Sequence, residues 1–214
     1  MVENKLANQL VVNWSRYLRK FIWRNTSQPY KIMIAEFMLQ RTKAAQVEPI
    51  YKQFLKQYPT VSHLSKAQTK RIIKHTSKLG LHWRYKHFLS SSKYIVKSLN
   101  GKFPKSQREL LQIPGVGDYV AGAICAVCFN TAEYVIDSNI ARLINRYYNL
   151  KLTGEIRRKR IIIDKARRVF SYEDQKNLLF AILDFTALVC KPIKPQCPAC
   201  VLRKSCKFSD KTNS

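Results

Sequence analysis

Apolar residues recur at helical spacing along most of the chain. Over 138–149, Ile140, Leu143, Ile144, Tyr147 and Tyr148 fall at i, i+3, i+4, i+7 and i+8, the period of a helix that buries one face. A similar stripe runs through 85–99 in Tyr85, Phe88, Leu89, Ile95, Val96 and Leu99, and the pattern also predicts helices over 155–170 and 177–189. No stretch shows the sustained two-residue alternation of a half-buried strand. Gly80, Gly101, Gly115, Gly117 and Gly154 punctuate these segments, where a left-handed residue ends one helix and another starts. Gly122 falls inside a helix and reads as a close-packing site. The predicted fold class is all-α.

Charge narrows the function. Lys and Arg number 39 against 13 Asp and Glu, a formal charge of +26, yet 46% of the residues are hydrophobic. That apolar content supports a folded core, so the chain reads as a basic globule rather than a disordered tail. A surface this positive attracts polyanions, and counterion release makes nucleic acid the expected partner ahead of an anionic membrane face. The longest apolar run, around 121–129, is shorter than the ~20 residues a membrane span needs. Residues 1–20 scatter Glu3, Lys5, Arg16 and Arg19 among apolar positions and lack a signal-peptide core. A cytoplasmic, nucleoid-associated protein of a prokaryote is expected. With 214 residues, one large domain or two small ones are possible; no linker or repeat marks a split.

Three groups of residues carry candidate chemistry. Ser106-Gln107-Arg108-Glu109 has the form of a capping box before Leu110, Leu111 and Ile113, and Pro114-Gly115-Val116-Gly117 stops that short helix. Asp118 is placed to cap a second helix over 119–129. Amides of Gly115, Val116 and Gly117 at a helix N-terminus suit a phosphate, although Pro-Gly-x-Gly is as often an ordinary tight turn. The second group is acidic. Asp137 follows Tyr134-Val135-Ile136 and precedes a helix, the place of an N-cap. Glu36 sits in Ile32-Met33-Ile34-Ala35-Glu36-Phe37-Met38-Leu39, where a buried acid needs a partner or a task. Third, Cys190-x6-Cys197-x2-Cys200-x5-Cys206 offers four soft ligands, stiffened by Pro192, Pro195 and Pro198, and suited to tetrahedral zinc or an iron–sulfur cluster. Cys125 and Cys128 read as small core residues. Arg203, Lys204 and Lys207 are candidates for phosphate contact or a solvated loop, and Arg157-Arg158-Lys159-Arg160 reads as a charged helix face.

Leu111-Gln112-Ile113-Pro114-Gly115-Val116-Gly117, followed by Val135-Ile136-Asp137-Ser138-Asn139, resembles the helix-hairpin-helix DNA glycosylase superfamily, in the group of endonuclease III and the adenine- and thymine-mismatch enzymes. The resemblance extends over nearly the whole chain. It implies two helical lobes flanking a DNA-binding cleft: one over 28–131 with the hairpin at 106–130, the other made of 1–27 and 132–214 with the catalytic Asp and a cluster loop at 190–206. It implies that Asp137 stabilises an oxocarbenium-like state or activates water, and that Glu36, its carboxyl raised by an apolar surround, donates a proton or orients that water. The target nucleotide would flip between them, and Gln40 or Arg41 would fill the gap. Strand-cutting members carry a Schiff-base Lys where this chain has Tyr119, so base excision without efficient strand cleavage is expected. The cysteine spacing implies a [4Fe-4S] cluster.

The resemblance also bears on the base. Ala44 and Phe180 fall where thymine-mismatch enzymes carry Ala and an apolar residue, the stretch 140–148 looks most like that group, and the chain ends eight residues after Cys206, where adenine-mismatch enzymes commonly continue into a further domain. Gln40 matches the adenine group instead. The expected activity is removal of thymine or uracil mispaired with guanine, by a monomer acting on duplex DNA. The alternatives are adenine removal opposite guanine or 8-oxoguanine, and a DNA binder without catalysis. Asp118, where relatives carry a basic or neutral residue, and the bulky Phe180 depart from the pattern.

Overall fold

The computed structural model describes residues 4–80 and 84–208 of the chain. Among these residues the helices are α1 (Lys5–Trp14), α2 (Pro29–Leu39), α3 (Ala44–Gln57), α4 (Val61–Ser65), α5 (Thr69–Thr76), α6 (Arg84–Ser98), α7 (Gln107–Leu110), α8 (Asp118–Ile124), α9 (Ser138–Tyr147), α10 (Arg160–Phe170) and α11 (Gln175–Leu188). No strand occurs among them, as the periodicity predicts. The chain divides into two compact units, Lys20–Phe129 and Met1–Arg19 together with Asn130–Ser214.

In the unit Lys20–Phe129, α2 is apolar on every side and packs against α3, α6 and α8. Burial of Ile32 through Met38 drives that placement. Phe88 anchors an aromatic cluster, edge-on to Phe37 at 5.6 Å and tilted against Phe54 at 5.2 Å. Ser106 caps α7 by accepting from the Glu109 N–H, and its hydroxyl bonds the Glu109 carboxylate. Two expectations fail here. Asp118 is the first residue of α8 rather than its cap; Gly117 takes the cap position with no side-chain bond. The helix expected over 119–129 keeps α geometry only to Ile124 and then widens into a π-helical turn, Cys125–Phe129.

In the other unit, α1 and α9 pack on α11, and α10 packs on α9 and α1. Asp184 of α11 is fully buried; it accepts from the Arg19 backbone N–H at 2.7 Å and from the Arg19 guanidinium Nε at 2.7 Å. Asn130 Oδ1 accepts from the Gln175 backbone N–H at 2.9 Å, and the Gln175 side chain holds the start of the segment leading to Asp137, accepting from the Ala132 N–H at 2.7 Å and donating to the Ala132 and Phe170 carbonyls. The helix expected over 155–170 begins only at Arg160, because Gly154 turns the chain at φ +73° and Glu155 ties up Arg157 in the turn that follows. Arg157 and Arg158 therefore lie in a turn rather than on a helix face, and Lys159 is the N-cap. No helix is long and apolar enough to cross a membrane among the described residues.

Candidate active-site residues and a cysteine cavity

Asp137 arrives on extended backbone, after buried Val135 and Ile136, at the N-cap of α9. Its Oδ1 accepts from the Asn139 N–H at 2.9 Å and the Ile140 N–H at 2.7 Å, and its Oδ2 accepts from Asn139 Nδ2 at 2.9 Å. Three donors thus face the carboxylate, and the positive end of the helix lies behind it. The carboxamide of Asn139 is fixed in turn, since its Oδ1 accepts from Arg142 Nη1 at 2.9 Å. Arg142 also donates to the Cys190 carbonyl from Nε at 3.2 Å and from Nη2 at 3.0 Å, and to the Thr186 carbonyl. Burial lowers the Arg142 guanidinium from its ordinary range, an effect opposed by Cys190 and Asp137. A guanidinium only donates, so the direction of every bond in this chain is set: Arg142 to Asn139, and Asn139 to an Asp137 that accepts at both oxygens. Arg157, raised chiefly by its hydrogen bond to Glu155, also feels the Asp137 charge.

Four cysteines meet one turn farther along the same helix. Cys190, Cys197, Cys200 and Cys206 line a small pocket with Leu143, Val189, Phe185 and Leu202 among its apolar walls. Arg146 stands at its edge, donating to Cys190 Sγ at 3.6 Å, to the Lys191 carbonyl at 2.6 Å and to the Pro192 carbonyl at 2.8 Å. The Lys207 N–H closes the loop onto the Tyr147 carbonyl at 3.0 Å. Burial, aided by the three neighbouring thiols, pushes the Cys200 thiol up to about 11. The four thiols line one apolar pocket with a guanidinium at its edge. Among the described residues, no three Cys, His, Asp or Glu side chains are arranged to clasp a single metal ion.

The remaining sequence-predicted residues belong to the unit Lys20–Phe129, apart from Phe180, which is buried in α11. Glu36 lies in the middle of α2 and is 8% exposed. Gln40 caps the C-terminal end of α2 and is half-buried; Arg41 follows, exposed, at φ +54°. Thr42 pins this turn by donating to the Leu79 carbonyl at 3.2 Å. Ala44 opens α3 and is half-buried. In the hairpin, Gly115 has φ +85°, and a Cβ there would stand 2.4 Å from His87 Nδ1, so only glycine fits. His87, lowered from its ordinary 6.5 by burial, is the floor of the turn and lies 6.0 Å from the Phe37 ring, centroid to centroid. Ser91 Oγ donates to the Pro114 carbonyl at 2.6 Å. The Val116 N–H is used inside the turn, donating to the Ile113 carbonyl at 3.0 Å, and its side chain is buried. Gly117 is exposed, and Tyr119 in the first turn of α8 is half-buried.

Residues 34–165 match the family model of the HhH-GPD superfamily of base excision DNA repair proteins. The chain belongs to this superfamily. It is 28% identical over 209 residues to the thymine/uracil-DNA glycosylase of Methanothermobacter thermautotrophicus, covering 97% of this chain and 95% of that protein. It is 31% identical over 201 residues to the adenine DNA glycosylase of Buchnera aphidicola subsp. Baizongia pistaciae, and there it spans 57% of the relative's length. Among solved structures, a thermostable thymine-DNA glycosylase superposes with TM-score 0.87 at 26% identity, covering 96% of this chain. For this HhH-GPD protein, sequence reasoning missed Asn139, Arg142 and Arg146 as the bridge between Asp137 and the cysteine cavity. The available signal was their spacing: Asn139, Arg142 and Arg146 recur at i, i+3 and i+7 along the polar side of a helix whose other face is apolar.

Proposed function

We propose that this chain is a monofunctional DNA glycosylase that hydrolyses the N-glycosidic bond of thymine or uracil mispaired with guanine. The observation that carries the reading is the Asp137 carboxylate, held by three donors at the head of α9 in an HhH-GPD protein. An acid fixed in this way spends nothing on reorganisation when positive charge grows on deoxyribose, so it stabilises the oxocarbenium-like state or orients the attacking water. Glu36, buried on an apolar helix, assists departure of the base by moving a proton or aligning water. The hairpin Gly115-Val116-Gly117 grips the backbone of the duplex, and Gln40 or Arg41 fills the space left by the extruded nucleotide. Tyr119 has no amine with which to form an imine, so strand cleavage does not follow base release. Ala44 and Phe180 shape selection of the base.

The four cysteines are assigned to a [4Fe-4S] cluster, which they would hold as thiolates after losing their protons and which would lock the loop over 190–206 onto α9. The protein is assigned as a monomer acting on mismatched duplex DNA in the cytoplasm. A second reading, removal of adenine opposite guanine or 8-oxoguanine, draws support from Gln40 and from the adenine DNA glycosylase among the relatives.

One assay decides among these. Duplexes carrying G·T, G·U, A·G or A opposite 8-oxoguanine are incubated with protein, with and without alkali. Release of thymine and uracil, strands that break only after alkali, and loss of activity in Asp137→Asn are the expected results. Adenine release with intact G·T and G·U overturns the choice of base, and breakage without alkali overturns the role given to Tyr119. Iron, sulfide and zinc are quantified on the same preparation; zinc in place of iron overturns the cluster.

A further inference from the structure

Between residues 49 and 108 the chain carries fourteen Lys and Arg and no Asp or Glu. Surfaces that serve only solubility intersperse the two signs, and this one does not. Within the acid-free stretch, α6 places Lys86, Lys93 and Lys97 at i, i+7 and i+11, all exposed. At 3.6 residues per turn these fall within about 40° of one line along the helix. The opposite face carries Phe88, Ser91, Ser92 and Ile95, all buried. The stripe begins beside the hairpin: Lys86 precedes His87, whose ring underlies Gly115, and Ser91 one turn on holds the Pro114 carbonyl. From Lys86 to Lys97 the helix rises about 16 Å. Phosphates of one strand recur about every 3.4 Å along the duplex axis, so a helix lying along that axis runs past roughly five of them.

We propose that Lys86, Lys93 and Lys97 form a phosphate track that continues the hairpin's grip along duplex DNA. It rests on the duplex-DNA reading of the hairpin and adds a surface to it. The track is sequence-independent, since ammonium groups meet phosphates as point charges and read no base edge. Its role is to hold undamaged duplex while the protein searches.

The test compares the wild-type chain with two triple variants of equal charge change, Lys86→Gln/Lys93→Gln/Lys97→Gln on α6 and Lys70→Gln/Lys74→Gln/Lys78→Gln on the segment of α5 and the turn after it, whose lysines are also exposed. Affinity for an undamaged duplex several turns long is measured against salt concentration. Three lost phosphate contacts should flatten the slope of log K against log salt by about 2.7 and weaken binding roughly a hundredfold at physiological salt. The α5 variant should stay within one unit of the wild-type slope, and a Lys→Arg triple on α6 should restore binding. Thermal melts confirm that each variant is folded. Equal losses in both Gln variants reduce the effect to net charge and overturn the track, as does an unchanged slope in the α6 variant. Undamaged DNA is not a substrate, so this outcome is read independently of whether any base is released.

Discussion

Replacing Asp137 with Asn tests whether the hydrogen-bond chain on α9 has the direction read from its donors. The asparagine keeps an oxygen to accept the Asn139 and Ile140 N–H groups, so the helix cap survives. The other position becomes an NH2 facing Asn139 Nδ2 at 2.9 Å, donor against donor. Flipping the Asn139 carboxamide only moves the conflict, because its nitrogen then faces Arg142 Nη1. One misdirected donor costs about 1–3 kcal/mol when buried, and for the half-buried Asp137 about 1–2 kcal/mol is expected. Exchanging the two residues, Asp137→Asn with Asn139→Asp, restores the polarity: the new amide donates to a carboxylate, which accepts from Arg142. The double variant should therefore recover most of the stability in denaturant unfolding while still failing to release a base, because the carboxylate has left position 137. A single variant as stable as wild type refutes the directional chain. A double variant that excises the base refutes the catalytic role of Asp137.

Gly115→Ala should destabilise the protein by more than the roughly 1–2 kcal/mol of a left-handed alanine, since the new Cβ also strikes His87, whereas Gly117→Ala, at φ −97° with no atom within 4 Å of a Cβ, should cost under about 1 kcal/mol; denaturant midpoints compare the two. Arg19→Ala should cost about 2–3 kcal/mol, more than Asp184→Asn, because it takes the guanidinium from a fully buried carboxylate that keeps the Arg19 backbone N–H, while the reverse change leaves a part-exposed guanidinium that turns to water; equal losses in thermal melts would contradict this. His87 binds its proton more weakly folded than unfolded, so the unfolded state takes up the proton first as pH falls below 6.5. The stability that its neutral form contributes is complete above that pH and declines below it, and His87→Phe should flatten that part of the stability profile.

The amino-acid sequence by itself determined the fold class and the places of the chemical groups. Periodic apolar residues specify α9 because a helix with one apolar face has little choice of which side to bury. The Asp137 cap and the Ser106 cap are legible because capping is local, decided within three residues of backbone. Locality also explains the failures. The stretch over 155–159 carries a helical pattern, yet Gly154 and the Glu155–Arg157 pair stabilise a turn there. Tertiary structure alone decided that Arg142 spans from Asn139 to the Cys190 carbonyl and that an imidazole lies beneath Gly115. Arg142 and Cys190 lie 48 positions apart in the chain, and His87 and Gly115 lie 28 apart. No pattern in a single chain encodes such pairings, because they are selected by shape and burial once the helices have packed.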